Sequence, residues 1–133
     1  ALAGLNLSCG RNSAQPGNYA ANDTIGTPKM EFREMEHNFG VIEPDERVGC
    51  IFTFRNTGDA DLIIYSAVAS CGCTAPKYEK KPVPPQGEGS IEVQFDATGR
   101  SGLQTKTVVV QSNAENKMVI LRIIADIRKE KTK

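Results

Sequence analysis

The stretch Arg47-Val48-Gly49-Cys50-Ile51-Phe52-Thr53-Phe54-Arg55-Asn56-Thr57-Gly58 decides how the chain is read. Val48, Cys50, Phe52 and Phe54 fall on one face, and Gly49, Ile51, Thr53 and Arg55 on the other. Period-two alternation carried by aromatic and β-branched residues is the pattern of a half-buried strand, because successive side chains of an extended backbone point to opposite sides. The run Asn56-Thr57-Gly58-Asp59-Ala60-Asp61 then supplies turn chemistry, since Asn, Gly and Asp tolerate left-handed backbone and cap their own amides.

The same reading extends in both directions. Leu62 to Ser70 is a second strand with Leu62 and Ile64 inward. Ser90 to Ala97 alternates again with Ile91, Val93 and Phe95 inward. A turn at 98–102 leads to Lys106–Ser112, and a hairpin-length connection at 113–117 leads to Met118–Ile127. In that last run Val119, Leu121, Ile123, Ala125 and Ile127 share one side. Upstream, Lys29 to Pro44 reads as one first strand ending at Gly40 or Pro44. The segment 71–89 carries four prolines, which excludes a helix or a central strand, and it reads as a loop, with Thr74 to Gly87 its long part. Six or seven strands with no convincing helix predict an all-β, immunoglobulin-like antiparallel β-sandwich of about seven strands. The chain has no Trp and no cysteine on a later strand to mate with Cys50, so the antibody type of Cys–Trp–Cys core is excluded.

The 133 residues are enough for one domain with its own core. Hydrophobic residues make up 39% and charged residues 24%, the balance of a globular chain rather than a disordered one. Lysine plus arginine equal aspartate plus glutamate at 16 each, so no global field draws in nucleic acid or an anionic membrane. The basic run Arg128 to Lys133 reads as a solvated tail. No run of about 18 apolar residues is present, so no transmembrane helix is expected. Residues 1–28 lack either apolar period and read as a leader or linker, residues 29–128 as the sandwich and 129–133 as a charged tail. The start, "ALAGLNLSC", resembles the end of a lipoprotein-type signal with Cys9 as the lipid acceptor, although Asn6 stands where a leucine is usual. With Cys9 so used, Cys50, Cys71 and Cys73 are an odd set that cannot all pair within one chain.

Several pieces together resemble the bacterial immunoglobulin-like family called domain of unknown function 1573. They are Phe39-Gly40, then Phe52-x-Phe54-x-Asn56-x-Gly58, Cys71-Gly72-Cys73-Thr74, Pro85-Gln86-Gly87, and Phe95-Asp96 ahead of a glycine-containing turn. The resemblance spans roughly residues 31 to 128. It is similar in turn to the sandwich domains of major sperm protein and of Hydin-type ciliary proteins. It implies a seven-stranded sandwich used for protein–protein contacts, export to the periplasm or outer cell envelope, and in Gram-negative bacteria a lipid anchor. Cys50 stands at a strand position where many relatives carry a polar residue.

Chemistry could reside at Cys71-Gly72-Cys73. Two thiolates suit Cu(I), whereas zinc would need two further ligands, with Cys50 and His37 the other strong donors. A disulfide of Cys71 with Cys73, or of either with Cys50, is a second reading. A redox pair is a third, although redox motifs normally use Cys-x-x-Cys at a helix N-terminus. The fourth, adopted as the default, is two small side chains packed at a bend that Gly72 permits. The acidic pairs Asp45/Glu46 and Asp59/Asp61 read as solvated turns. Ser101 and Ser112 have only His37 as a base, and a Ser–His–Asp arrangement is not expected. Nothing implies a cofactor or nucleic acid. The expected function is a non-enzymatic, exported binding or scaffolding module for a protein or extracellular polymer, engaged through Tyr78, Lys77, Lys80 and Lys81. The alternative is a periplasmic thiol module, redox or Cu(I)-handling, on Cys71 and Cys73.

Overall fold

The computed structural model describes residues 26–129. Eight strands follow in chain order: β1 (Met30–Phe32), β2 (Glu36–Ile42), β3 (Arg47–Asn56), β4 (Ile64–Ala69), β5 (Thr74–Tyr78), β6 (Glu88–Asp96), β7 (Gly102–Ser112) and β8 (Met118–Ile127). They form two four-stranded sheets, ordered β1-β3-β6-β5 and β2-β8-β7-β4. Alternating side chains from the two inner faces interlock into one core, the sandwich solution to sheets that are each apolar on one side. Phe52, Phe54, Ile91, Val93 and Phe95 come from the first sheet, and Val108, Val110, Leu121, Ile123, Ala125 and Ile127 from the second. The inward residues predicted for β3, β6 and β8 are therefore inward, with Val48 and Cys50 partly buried toward the open end of β3.

Three expectations are corrected. The single first strand is two strands in different sheets, which makes the count eight. Arg33 N–H still donates to the Thr53 carbonyl of β3 (2.9 Å), but Met35 carbonyl already accepts from Arg122 N–H of β8 (2.9 Å). Between those residues the backbone passes its hydrogen bonds from one sheet to the other. Next, the sandwich is not antiparallel throughout, because β2 pairs with β8 in parallel, with a register shift between Asn38 and Val41. Gly40 sits in that bulge at φ 78°, a left-handed backbone that glycine adopts without steric cost, which accounts for the Phe-Gly pair. Finally, the proline-rich segment is not loop throughout: Thr74 to Tyr78 form β5, at the edge of its sheet, where a proline is tolerated.

Residues just ahead of β1 are also tied to the sandwich. Thr27 N–H donates to Asp59 Oδ1 (2.7 Å), and the carbonyl of buried Pro28 accepts from Glu115 N–H (2.8 Å).

Candidate functional site

Four of the five signature pieces gather in space at two places, Phe39-Gly40 standing apart in the β2 bulge. The first is built on Asn56, fully buried at the end of β3. Its Nδ2 donates to the carbonyls of Ala60 (2.7 Å) and Val83 (2.9 Å). Its Oδ1 accepts from the amides of Lys29 (3.2 Å) and Gly58 (3.0 Å). Its own backbone N–H reaches Gly87 carbonyl (2.9 Å), and its carbonyl accepts from Gln86 N–H (2.7 Å). The carboxamide thus ties the residue before β1, the turn after β3 and Val83 together while the Asn56 backbone holds the Pro-Gln-Gly turn, with every polar atom satisfied. Gly58 is obligatory beside it, because a Cβ there would run into Thr27 carbonyl oxygen and Lys29 nitrogen. This is a structural site: it holds the 79–87 segment in place and presents no exposed chemistry.

The second place is the corner where the chain crosses from β4, the edge of one sheet, to β5, the edge of the other. Here the default reading is corrected. Cys71 and Cys73 are not two separate packed thiols; their sulfurs are bonded to each other. Gly72 turns the backbone so that their Cα atoms lie 5.3 Å apart, within the range a disulfide spans. In this form neither sulfur is a thiolate, so a soft metal would require prior reduction of the pair. Both cysteines are half-buried, and Thr74 beside them is buried. Cys71 Sγ accepts from Cys73 N–H (3.2 Å). The Thr74 hydroxyl lies 3.9 Å from Cys71 Sγ and 3.7 Å from Cys73 Sγ. Asp96 N–H donates to Cys73 carbonyl (2.9 Å), which joins the Phe-Asp piece of the signature to the Cys-Gly-Cys piece. Asp96 Oδ1 in turn accepts from Thr98 Oγ1 (2.6 Å) and Thr98 N–H (2.9 Å). Those hydrogen bonds, with Arg47 beside it, hold its carboxyl below the ordinary carboxylate value.

The residues expected to meet a partner are divided by the structure. A cleft of about 620 Å³ opens beside β5 and the 79–87 segment. Buried Phe54 and Ile64 form its floor with half-buried Tyr78 and Val83. Lys77, Glu79, Lys81, Glu88 and Glu92 supply the charged rim. Lys77 and Lys81 are thus brought to one opening, while Lys80 is exposed but does not line it. Tyr78 is not a free-standing anchor: its ring packs against the core and its hydroxyl donates to Tyr65 carbonyl of β4 (3.3 Å). The sequence reading missed the floor residues and the glutamates. Phe54 and Ile64 read as ordinary core from the alternation, which does not show that the cleft beside β5 reaches them.

Cys9 lies outside the described residues. Cys50, the free cysteine among those described, pairs across to Val93, and burial pushes its thiol up to about 11. His37 stands on β2 against the ring of Phe39, centroids 4.6 Å apart. Neither the cleft containing Ser90 nor the one containing Ser101 includes His37. No group of three or more His, Cys, Asp or Glu side chains placed to hold a metal occurs among the described residues.

Comparison with solved structures places the architecture. A protein of unknown function from Porphyromonas gingivalis W83 superposes with a TM-score of 0.67 at 16% identity, over 75% of this chain and 47% of that one. The chain therefore spans about half the length of that relative. The ASH/PapD-like domain 7 of human CEP192 matches over 93% of this chain and 96% of its own, with a TM-score of 0.61 at 13% identity. The secreted serine protease VesC of Vibrio cholerae shares the fold over 82% of this chain but only 24% of its own, with a TM-score of 0.58 at 14% identity. At such identities these likenesses show the fold and not the activity. No curated protein matches the chain. The model of the family described as protein of unknown function (DUF1573) matches residues 30–127, which is β1 through β8, and the chain belongs to that family.

Proposed function

We propose that this chain is a non-enzymatic binding module of the cell envelope that holds a segment of another polypeptide in the cleft beside β5. The cleft carries the reading: it is concave, its floor is apolar, and charges of both signs stand around its opening. Its walls are preorganised, because the Asn56 network fixes the 79–87 segment and the Tyr78 hydroxyl fixes the end of β5. Pro76 removes an amide donor from this edge strand, which blunts it against addition of a further strand. Recognition therefore runs through side chains in the cleft. A disulfide suits an oxidising compartment, which supports export, and Cys9 is the proposed lipid anchor of a linker reaching this domain.

The test is site-specific photo-cross-linking in the intact chain in cells. A photoreactive residue at Lys81 is expected to give a discrete polypeptide adduct, one at exposed Arg100 in the turn at the far end of β6 none, and Tyr78→Ala to abolish the first. An adduct pattern that Tyr78→Ala leaves unchanged removes the cleft from the proposal.

A further inference from the structure

The binding role leaves the Cys71–Cys73 pair without a use, and its surroundings differ between the two sulfurs. We propose that this disulfide is a thiol–disulfide exchange site that takes electrons from a dithiol, with Cys73 as the sulfur attacked and Cys71 as the leaving thiolate. Approach comes from a cavity of about 210 Å³ lined by Arg47, Gly72, Cys73, Ala75, Gln94 and Asp96, among others; Cys73 lines it and Cys71 does not. An incoming thiolate there meets the Arg47 guanidinium, whose carboxylate partner, Asp96, is also engaged by Thr98.

Departure is provided for on the other side. Exchange is faster when the leaving sulfur is a better thiolate, and hydrogen bonds to that sulfur make it one. Cys71 Sγ already accepts from Cys73 N–H at 3.2 Å. The buried Thr74 hydroxyl has the two sulfurs as its side-chain hydrogen-bond partners among the described residues, so it can donate to whichever carries charge. As a staple the bond does little, since closing so short a loop removes less chain entropy than closing a long one. Cys50, kept protonated by burial, does not compete as a nucleophile.

The electron count closes with one substrate. A substrate thiolate attacks Cys73 Sγ, forming a substrate–Cys73 disulfide as the Cys71–Cys73 bond breaks and Cys71 leaves as thiolate. The second substrate thiol, deprotonated, attacks the substrate sulfur of that mixed disulfide and releases Cys73 thiolate. The dithiol has lost two electrons and two protons to become a disulfide, and the protein pair has gained them as two thiols. The small cavity admits one cysteine side chain or a small aliphatic thiol, which share this chemistry.

The test uses the intact native protein with glutathione in one arm and an unstructured two-cysteine peptide in the other. Aliquots are quenched in acid at intervals, capped with N-ethylmaleimide and mapped by mass spectrometry. The expected result is a mixed disulfide at Cys73 exceeding that at Cys71 about tenfold. Thr74→Val should slow its formation about tenfold, the weight of one lost hydrogen bond to the leaving sulfur, while thermal unfolding confirms that the variant is folded. Reaction in the peptide arm alone assigns a polypeptide dithiol, and in the glutathione arm alone a small thiol, of which a second molecule then attacks the mixed disulfide in place of the second substrate thiol and leaves as the oxidised dimer. Equal adducts at the two cysteines, an excess at Cys71, or exchange no faster than global unfolding overturns the proposal. The wild-type adduct ratio decides this even if Thr74→Val fails to fold.

Discussion

A carboxamide that donates to two carbonyls and accepts from two amides has no valence left for water, and its burial is tolerable only while all those partners stay. Asn56 is in that position. Asn56→Ala leaves the buried carbonyls of Ala60 and Val83 without donors, and should lower the free energy of unfolding by about 2–4 kcal/mol, read from urea denaturation. Asn56→Asp should be more damaging, since it aims a carboxylate at those carbonyls. Cys50 gives a pH-dependent prediction. Its folded pKa, raised by burial to about 11, exceeds the ordinary value of 9.0, so the unfolded chain ionises first. Stability is intact below pH 9 and falls as pH rises toward 11, and the native thiol should resist a disulfide reagent at pH 8. Asp96 has the opposite sign. Its depressed folded pKa adds stability above the unfolded value, lost as pH falls through the folded one. Thr98→Val should return the Asp96 carboxyl toward 3.8 in an NMR titration, because the Thr98 side-chain hydrogen bond is the leading cause of the depression.

At the scale of elements, β3 and β5 show how differently pattern and context act. β3 declares itself, since each residue alternates and its register with β6 runs unbroken from Arg47 opposite Asp96 to Arg55 opposite Glu88. β5 does not: Thr-Ala-Pro-Lys-Tyr has a proline at its centre and becomes a strand because β6 presents an open edge for it to pair with. Just ahead of β5 the crossover disulfide closes only a very short loop. Replacing both cysteines by serine should cost roughly 1.5 kcal/mol of stability by loop-closure entropy, with native strand content kept in circular dichroism. A loss of several kcal/mol would instead make the bond a principal support of the corner.

Across the whole molecule, both sheets share one core, so neither has apolar surface enough to persist alone. Urea unfolding should therefore be a single cooperative transition, the same by intrinsic fluorescence and by circular dichroism. Leu121, fully buried at the middle of β8, faces the opposite sheet. Leu121→Ala should lower stability by about 2–5 kcal/mol without splitting that transition.

Period-two patterning is local, and so the strands, their inward faces and the sandwich class were legible in the residues themselves: Phe54, Ile91, Val93 and Phe95 each stand between polar neighbours, and all four point inward. What the patterning does not encode is which strand a segment pairs with. The division of 29–44 between two sheets, the parallel pairing of β2 with β8 and the strand at 74–78 all depend on partners far along the chain. The cleft and the polar shell of the disulfide belong to the same class of fact. Arg47, Cys73 and Asp96 meet because β3, β6 and β5 pair side by side in one sheet, and Phe54 and Tyr78 meet Ile64 only when the other sheet closes over them; spacing along a chain carries no record of either event.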